Sequence, residues 1–245
     1  MKRIHISFAN ERYYPSLKLL AQTSLEVGKV DEFIGYTQDN IKLTEFWKKN
    51  QYILSQPRGA GYWIWKPYII LETLGELEYG DIVMYSDAGL EVIGNLNPLF
   101  EITLDNPNGG KMLFKVPGPH INRMWTKRDC FILTECDEKK YWDGILTNGA
   151  VSLWQKTDEN IEYLKKYLRY LRDPRIVTDD PNMMGQPNLS GFKEHRHDQS
   201  VLSLLSLKNN LELYRDPTQW GDEEKNLFVN SPYNQLFNHH RGQIK

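Results

Sequence analysis

The residues best suited to chemistry in this chain cluster in four places, and the first is an aspartate placed where an apolar run stops. In Gly80-Asp-Ile-Val-Met-Tyr-Ser-Asp-Ala-Gly-Leu-Glu91, turn residues lead into apolar residues 82–85, and Asp87 follows where such a strand should end. Ligands of open α/β sheets bind outside the carboxyl ends of the strands, so a carboxylate delivered there can meet a metal, a ribose or a phosphate-bearing donor. An ordinary strand-ending turn is the competing explanation, because Asp and Gly both favour turns. The second cluster is Pro57-Arg-Gly-Ala-Gly-Tyr-Trp-Ile-Trp-Lys-Pro-Tyr68, in which two glycines permit close backbone approach and Pro67 suits the first turn of a helix reaching about residue 77. Arg58, Lys66 and that helix start make an anion site, and a diphosphate is a fitting occupant; otherwise Trp63 and Trp65 are core and Lys66 is solvated. In the third, Glu194-His-Arg-His-Asp-Gln-Ser200, His195 and His197 with a carboxylate are the raw material of a zinc site, but no cysteine or second spaced pair completes it, and Asp198 serves equally as a helix cap. The last, Asn238-His-His-Arg-Gly-Gln-Ile-Lys245, is compact and basic.

The elements that must hold these groups alternate between the two periodicities. Residues 3–8 read as a strand, Asn10 can cap a helix from about residue 11 with Leu17, Leu20, Ala21 and Leu25 on one side, 33–36 read as a second strand, 39–50 as a second helix and 52–54 as a third strand. After the Asp87 strand come a short turn or helix at 95–100, a loop at 105–110, a strand at 111–116, a helix over 126–135 capped by Thr126, and a strand over 147–154 that opens with the polar pair Asn148-Gly149. Residues 158–171 carry an amphipathic helix pattern, 172–191 a Pro- and Asn-rich loop long enough to be a lid, and 198–207 another helix. Such β-α-β alternation implies an α/β fold with a mostly parallel central sheet flanked by helices, formed by one domain over residues 1–245.

Bulk composition narrows the partners. The net charge of −2 argues against a general nucleic-acid binder. No stretch is apolar enough to span a bilayer, and the amino terminus reads as a strand, so a cytoplasmic location is expected, with peripheral association at the inner face of a membrane as the alternative. Cys130 and Cys136 are spaced unlike a redox or zinc pair. The load of 7 Trp and 14 Tyr suits pockets for flat bases and sugars as well as cores.

Taken in order, these motifs resemble those of nucleotide-sugar glycosyltransferases of the GT-A fold, of the polysaccharide-building type. Tyr85-Ser-Asp-Ala-Gly89 looks like the strand-ending Tyr-x-Asp-x-Asp element, Asn148-Gly-Ala-Val151 like the Asn-Ala-Gly-Val strand, His197-Asp-Gln-Ser200 like the Asp-Gln-Asp segment of the retaining family 8 (glycogenin-like), and His239-x-x-Gly242-x-x-Lys245 like that family's terminal motif. The resemblance implies that Asp87, flanked by Ser86 and Ala88, meets the donor ribose or a metal. His239, or His240 in its place, would ligate Mn2+ or Mg2+, Gly242 and Lys245 would hold the diphosphate, and Asp198 and Gln199 would lie beside the anomeric carbon. Phe8, Asn10 and Tyr13 or Tyr14 would flank the base, and Arg58, Lys66, Asn148 and Gly149 would complete the donor site. Gly89 departs from the pattern, since it stands where the main metal-binding carboxylate belongs. Glu91 or His240 could be recruited instead, or Lys66, Arg58 and Lys245 could neutralise the diphosphate without a metal. The implied function is transfer of a hexose from a nucleoside diphosphate sugar, UDP-linked by preference, to a glycan or lipid-linked acceptor with retention. A silent nucleotide- or carbohydrate-binding module and a nucleotidyltransferase are the rival readings.

Overall fold

The structure, a computed structural model, describes residues 1–240. Six strands form one sheet in the order β2-β1-β3-β6-β5-β7, where β1 is Arg3–Ala9, β2 Glu32–Thr37, β3 Ile82–Ser86, β5 Lys111–Lys115, β6 Thr147–Gln155 and β7 Leu213–Tyr214. β1 pairs in parallel with both β2 and β3, and β5 with β7; β6 alone runs against its neighbours β3 and β5. The fully buried β3 explains the two-sided architecture. Its alternate residues enter different cores: Val83 and Tyr85 one, Ile82 and Met84 the other. The first core takes in the helices Trp65–Gly75, Asp158–Leu171 and His197–Lys208; the second takes in Tyr14–Glu26 through Leu20 and Asn97–Leu104 through Leu99 and Phe100. In Asp158–Leu171 the buried Leu164, Tyr167, Leu168 and Leu171 recur at helical spacing, and full burial of such a side chain is worth roughly 1.5–3 kcal/mol. A separate two-stranded ribbon joins β4, Leu90–Val92, to β8, Phe237–His239, and so carries the end of the described chain back beside Asp87.

Several elements differ from the sequence reading. Residues 52–54 form no strand: Gln51–Leu54 is a helical turn in which the Ile53 and Leu54 amides both donate to the Asn50 carbonyl, which buries the two adjacent apolar side chains together. The helix expected over 39–50 is broken into Gln38–Lys42 and Glu45–Lys49 because Thr44 starts the second piece by capping Trp47. Asn10 makes no side-chain cap, and Thr126 does not begin the following helix, which spans Arg128–Leu133. The 172–191 segment is pinned down. Its residues Pro174–Val177 are helical, the Lys127 ammonium donates to the carbonyls of Thr178 and Asp180, and Asp129 accepts from the amides of Met183 and Met184. Among the described residues no helix is long and apolar enough to cross a membrane.

Candidate active site

Asp87 continues the β3–β6 ladder one residue past β3, its amide donating to the Ala150 carbonyl at 2.9 Å, and its carboxylate is therefore held at the carboxyl edge of the sheet. Asp87 Oδ1 accepts the Tyr85 hydroxyl at 2.6 Å and lies 3.8 Å from Lys66 Nζ. Lys66 is delivered by the first turn of Trp65–Gly75, is 4% exposed, and donates to Asp198 Oδ2 at 2.7 Å and to the Gly149 carbonyl at 2.8 Å. One ammonium thus ties together three segments far apart in sequence. Tyr167 adds a hydroxyl donated to the Asp198 carbonyl at 3.0 Å. Burial is the largest influence on both members of the Lys66–Asp198 pair: it pushes the Asp198 carboxyl above its ordinary range against the pull of Lys66, while on Lys66 the two carboxylates more than reverse it and hold the ammonium above its usual value. Burial and the adjacent Asp87 push the Tyr85 phenol upward, so it stays a neutral donor.

The wall beside this cluster is backbone of unusual hand. Residues 59–63 all have positive φ, at 58°, 50°, 99°, 52° and 59°. Gly59 and Gly61 are required here, since a Cβ would stand 2.3 Å from the Trp63 ring and 2.6 Å from Leu54 Cα respectively. Ala60, Tyr62 and Trp63 are not relieved in this way, and left-handed geometry costs an L-residue roughly 1–2 kcal/mol. The surrounding packing sustains it: Trp65 Nε1 donates to the Gly59 carbonyl at 3.0 Å and its ring stacks on Phe8 with centroids 3.9 Å apart. Such strain gathers at binding sites.

Two cavities meet at this wall, with Asp87 and Trp63 lining both. The larger, about 430 Å³, is lined by Phe8, Asn10, Arg12, Tyr13, Ala88, Gly89 and His239 among others. The smaller, about 190 Å³, is lined by Arg58, Lys66, Asn148, Gly149, Arg196, His197, Asp198 and Gln199. Most residues singled out from sequence therefore converge on one edge of the sheet, including His239 from the far end of the described chain. Ser86 does not: its hydroxyl is buried against His5 Nε2 at 2.8 Å, because alternation along β3 turns it away from Asp87. Gly242 and Lys245 lie outside the described residues. Asn148 donates its amide to Asp216, and Gln199 donates to the Thr147 carbonyl at 2.8 Å, leaving its amide oxygen without a hydrogen bond to any described residue. Arg58 faces Asp179 and Glu194, both at 3.4 Å.

Sequence reasoning did not single out Arg12, which lines the larger cavity with no carboxylate partner among the described residues, or Arg196 and Asp216. Arg12 was within reach of sequence, lying one residue from Tyr13. Asp216 was not, as only the fold brings it to Asn148.

The candidate metal ligands do not assemble. Among the described residues no three His, Cys, Asp or Glu side chains form a group able to hold an ion. Asp87 and His239 share a cavity, but His240 is not among its lining residues, and its backbone amide donates to the Gly89 carbonyl at 3.0 Å. Among the described residues a divalent cofactor at Asp87 and His239 therefore lacks a third protein ligand. His195 and His197 form no zinc site either: His195 spends both ring nitrogens, on the Ile176 carbonyl and the Lys127 amide, and His197 Nδ1 bonds the Val177 carbonyl at 2.7 Å.

No family model matches this chain, and no curated protein matches it. Among solved structures, mouse xyloside xylosyltransferase 1 in its apo form is similar with a TM-score of 0.53 at 11% identity, covering 100% of both chains. Galactosyltransferase LgtC in complex with donor and acceptor sugar analogues gives 0.48 at 14% identity over 99% of this chain and 88% of that one. A glycosyltransferase involved in glycosylation of the major capsid of PBCV-1 gives 0.48 at 12% identity over 98% and 94%. At such identities likeness speaks for the fold alone, and the first of the three carries it: this chain has the α/β GT-A fold, a mostly parallel six-stranded sheet between layers of helices.

Proposed function

We propose that the whole chain acts as one glycosyltransferase domain, moving a hexose from a nucleoside diphosphate sugar, UDP-linked by preference, to a saccharide or lipid-linked acceptor. The observation that carries this reading is the pair of cavities joined at Asp87 on the carboxyl edge of the sheet. The larger has the size and the aromatic and polar lining for a nucleoside, with Phe8, Asn10 and Tyr13 about the base and Asp87 at the ribose. In the smaller, Gln199 and Asn148 would meet the sugar ring, with Arg58 and Arg196 also in its lining. In the transfer the anomeric carbon–phosphate oxygen bond breaks, the acceptor oxygen bonds to that carbon, and the acceptor proton must find a base. Asp198 is buried and committed to Lys66, so it is not free to be that base. The departing phosphate oxygen can take the proton on the face where the bond breaks, which favours retention. Asp198 then acts as a positioning residue that fixes Lys66, and Gln199 offers its unbonded amide oxygen to the sugar.

A panel of nucleotide sugars tested for binding and slow hydrolysis checks the reading, with Asp87→Ala as the control. Hydrolysis of one donor by the parent chain, lost in a variant that melts normally, is expected. Binding without turnover of any donor would favour a silent binding module instead.

A further inference from the structure

Resting on the nucleotide-sugar reading, we infer that this site binds its nucleoside diphosphate without a divalent cation, the Lys66 ammonium standing in the metal's place beside Asp87. Among the described residues Asp87 and His239 share the larger cavity with no third carboxylate, imidazole or thiol to complete a donor set, and one oxygen of the carboxylate is already engaged. Asp87 Oδ1 takes the Tyr85 hydroxyl at 2.6 Å and faces Lys66 Nζ at 3.8 Å. Position 89 offers no carboxylate, and its carbonyl accepts the His240 amide at 3.0 Å. Residues 241–245, Arg-Gly-Gln-Ile-Lys, add no imidazole, thiol or acidic side chain.

Lys66 is no mobile surface lysine that an incoming ion could displace. Its side chain is 5% exposed, its protons go to Gly149 and Asp198, and its charge sits over the Tyr85 ring at 5.0 Å. A divalent ion bound through Asp87 Oδ1 would have to compete with this ammonium, 3.8 Å away, for the same carboxylate oxygen. The ammonium supplies at the strand end the positive charge that meets a diphosphate, and Arg12 supplies a second from the larger cavity.

Titrating UDP into the full chain by calorimetry, once in EDTA and once in excess manganese, tests this, alongside the paramagnetic resonance signal of free Mn2+ with protein added. The same dissociation constant within about threefold in both buffers, with the Mn2+ signal undiminished, is the expected result. Binding that appears only with manganese, or tightens tenfold or more while the Mn2+ signal falls, would overturn the inference and leave the nucleotide reading standing. Failure of UDP and nucleotide sugars to bind in either buffer would overturn the nucleotide reading and this inference with it.

Discussion

The two cavities that share Asp87 and Trp63 are built on opposite plans. The larger is walled by rings, small residues and short polar groups, and its cation, Arg12, has no carboxylate partner among the described residues. In the smaller nearly every polar group is already bonded: Lys66 to Asp198 and Gly149, Asn148 to Asp216, Gln199 to Thr147, Arg58 to Asp179 and Glu194. A surface with unspent hydrogen-bonding capacity recognises a ligand and adapts to it. One whose side chains are locked against each other holds reacting atoms in register and resists rearrangement. The first cavity should therefore govern affinity and the second turnover and stability.

The sharpest way to break that contrast is Lys66→Met. Removing one partner of a buried ion pair leaves Asp198 uncompensated, at a cost of about 3–5 kcal/mol, so melting should fall by many degrees and transfer should vanish. Unchanged melting would mean that the smaller cavity is not the rigid one. Next in size, Gln199→Ala and Arg12→Ala should give crossed phenotypes. The former should lower turnover about 10- to 100-fold at unchanged donor affinity, and the latter should weaken UDP about tenfold, near the worth of one charged hydrogen bond, at unchanged turnover under saturation. Identical effects on both parameters would erase the division of labour.

The smallest effect expected is on pH. Burial lowers the His197 imidazole to about 4 and that of His5 to about 3, both below the unfolded value near 6.5. As pH drops, the unfolded chain takes up these protons first, so stability is full above about 6.5 and is lost as pH descends through 4 and then 3. The buried carboxyls of Asp198 and Asp216, raised by desolvation, act in the opposite sense over the carboxylate range and shallow the slope. Melting temperatures should be level from pH 8 to 7 and decline below, less steeply in His197→Asn; a flat profile would show that these imidazoles are protonated in the fold.

Much of this arrangement can be read from local pattern. The 82–85 run, the polar opening of β6 and the stripe on Asp158–Leu171 are periodic signals, and each places its element correctly. The Lys66–Asp198 pair joins residues 132 apart, and no spacing rule reports a contact of that kind. Neither does sequence disclose five residues of left-handed backbone, because only two of them are glycine and the rest are held by packing. His195 and His197 misled for a related reason: two imidazoles two residues apart resemble ligands, whereas the fold spends them on the carbonyls of Ile176 and Val177. Residues 52–54 lack a neighbour to pair with, and a three-residue strand has little stability without one.

The outer edge of the β4–β8 ribbon is closed by the segment leading into Gln219: Thr218 bridges Phe237 in parallel, and the Phe237 amide donates to the Pro217 carbonyl at 3.1 Å. Gln219 accepts the His239 amide at 2.8 Å and donates to its carbonyl at 3.1 Å, so its carboxamide imitates one rung of a third strand. This side-chain rung extends the Thr218–Phe237 bridge by one step and covers the His239 backbone groups that a further strand would need. Replacing Gln219 would thus uncover the ribbon edge at His239 and loosen, in the same change, a residue that lines the larger cavity.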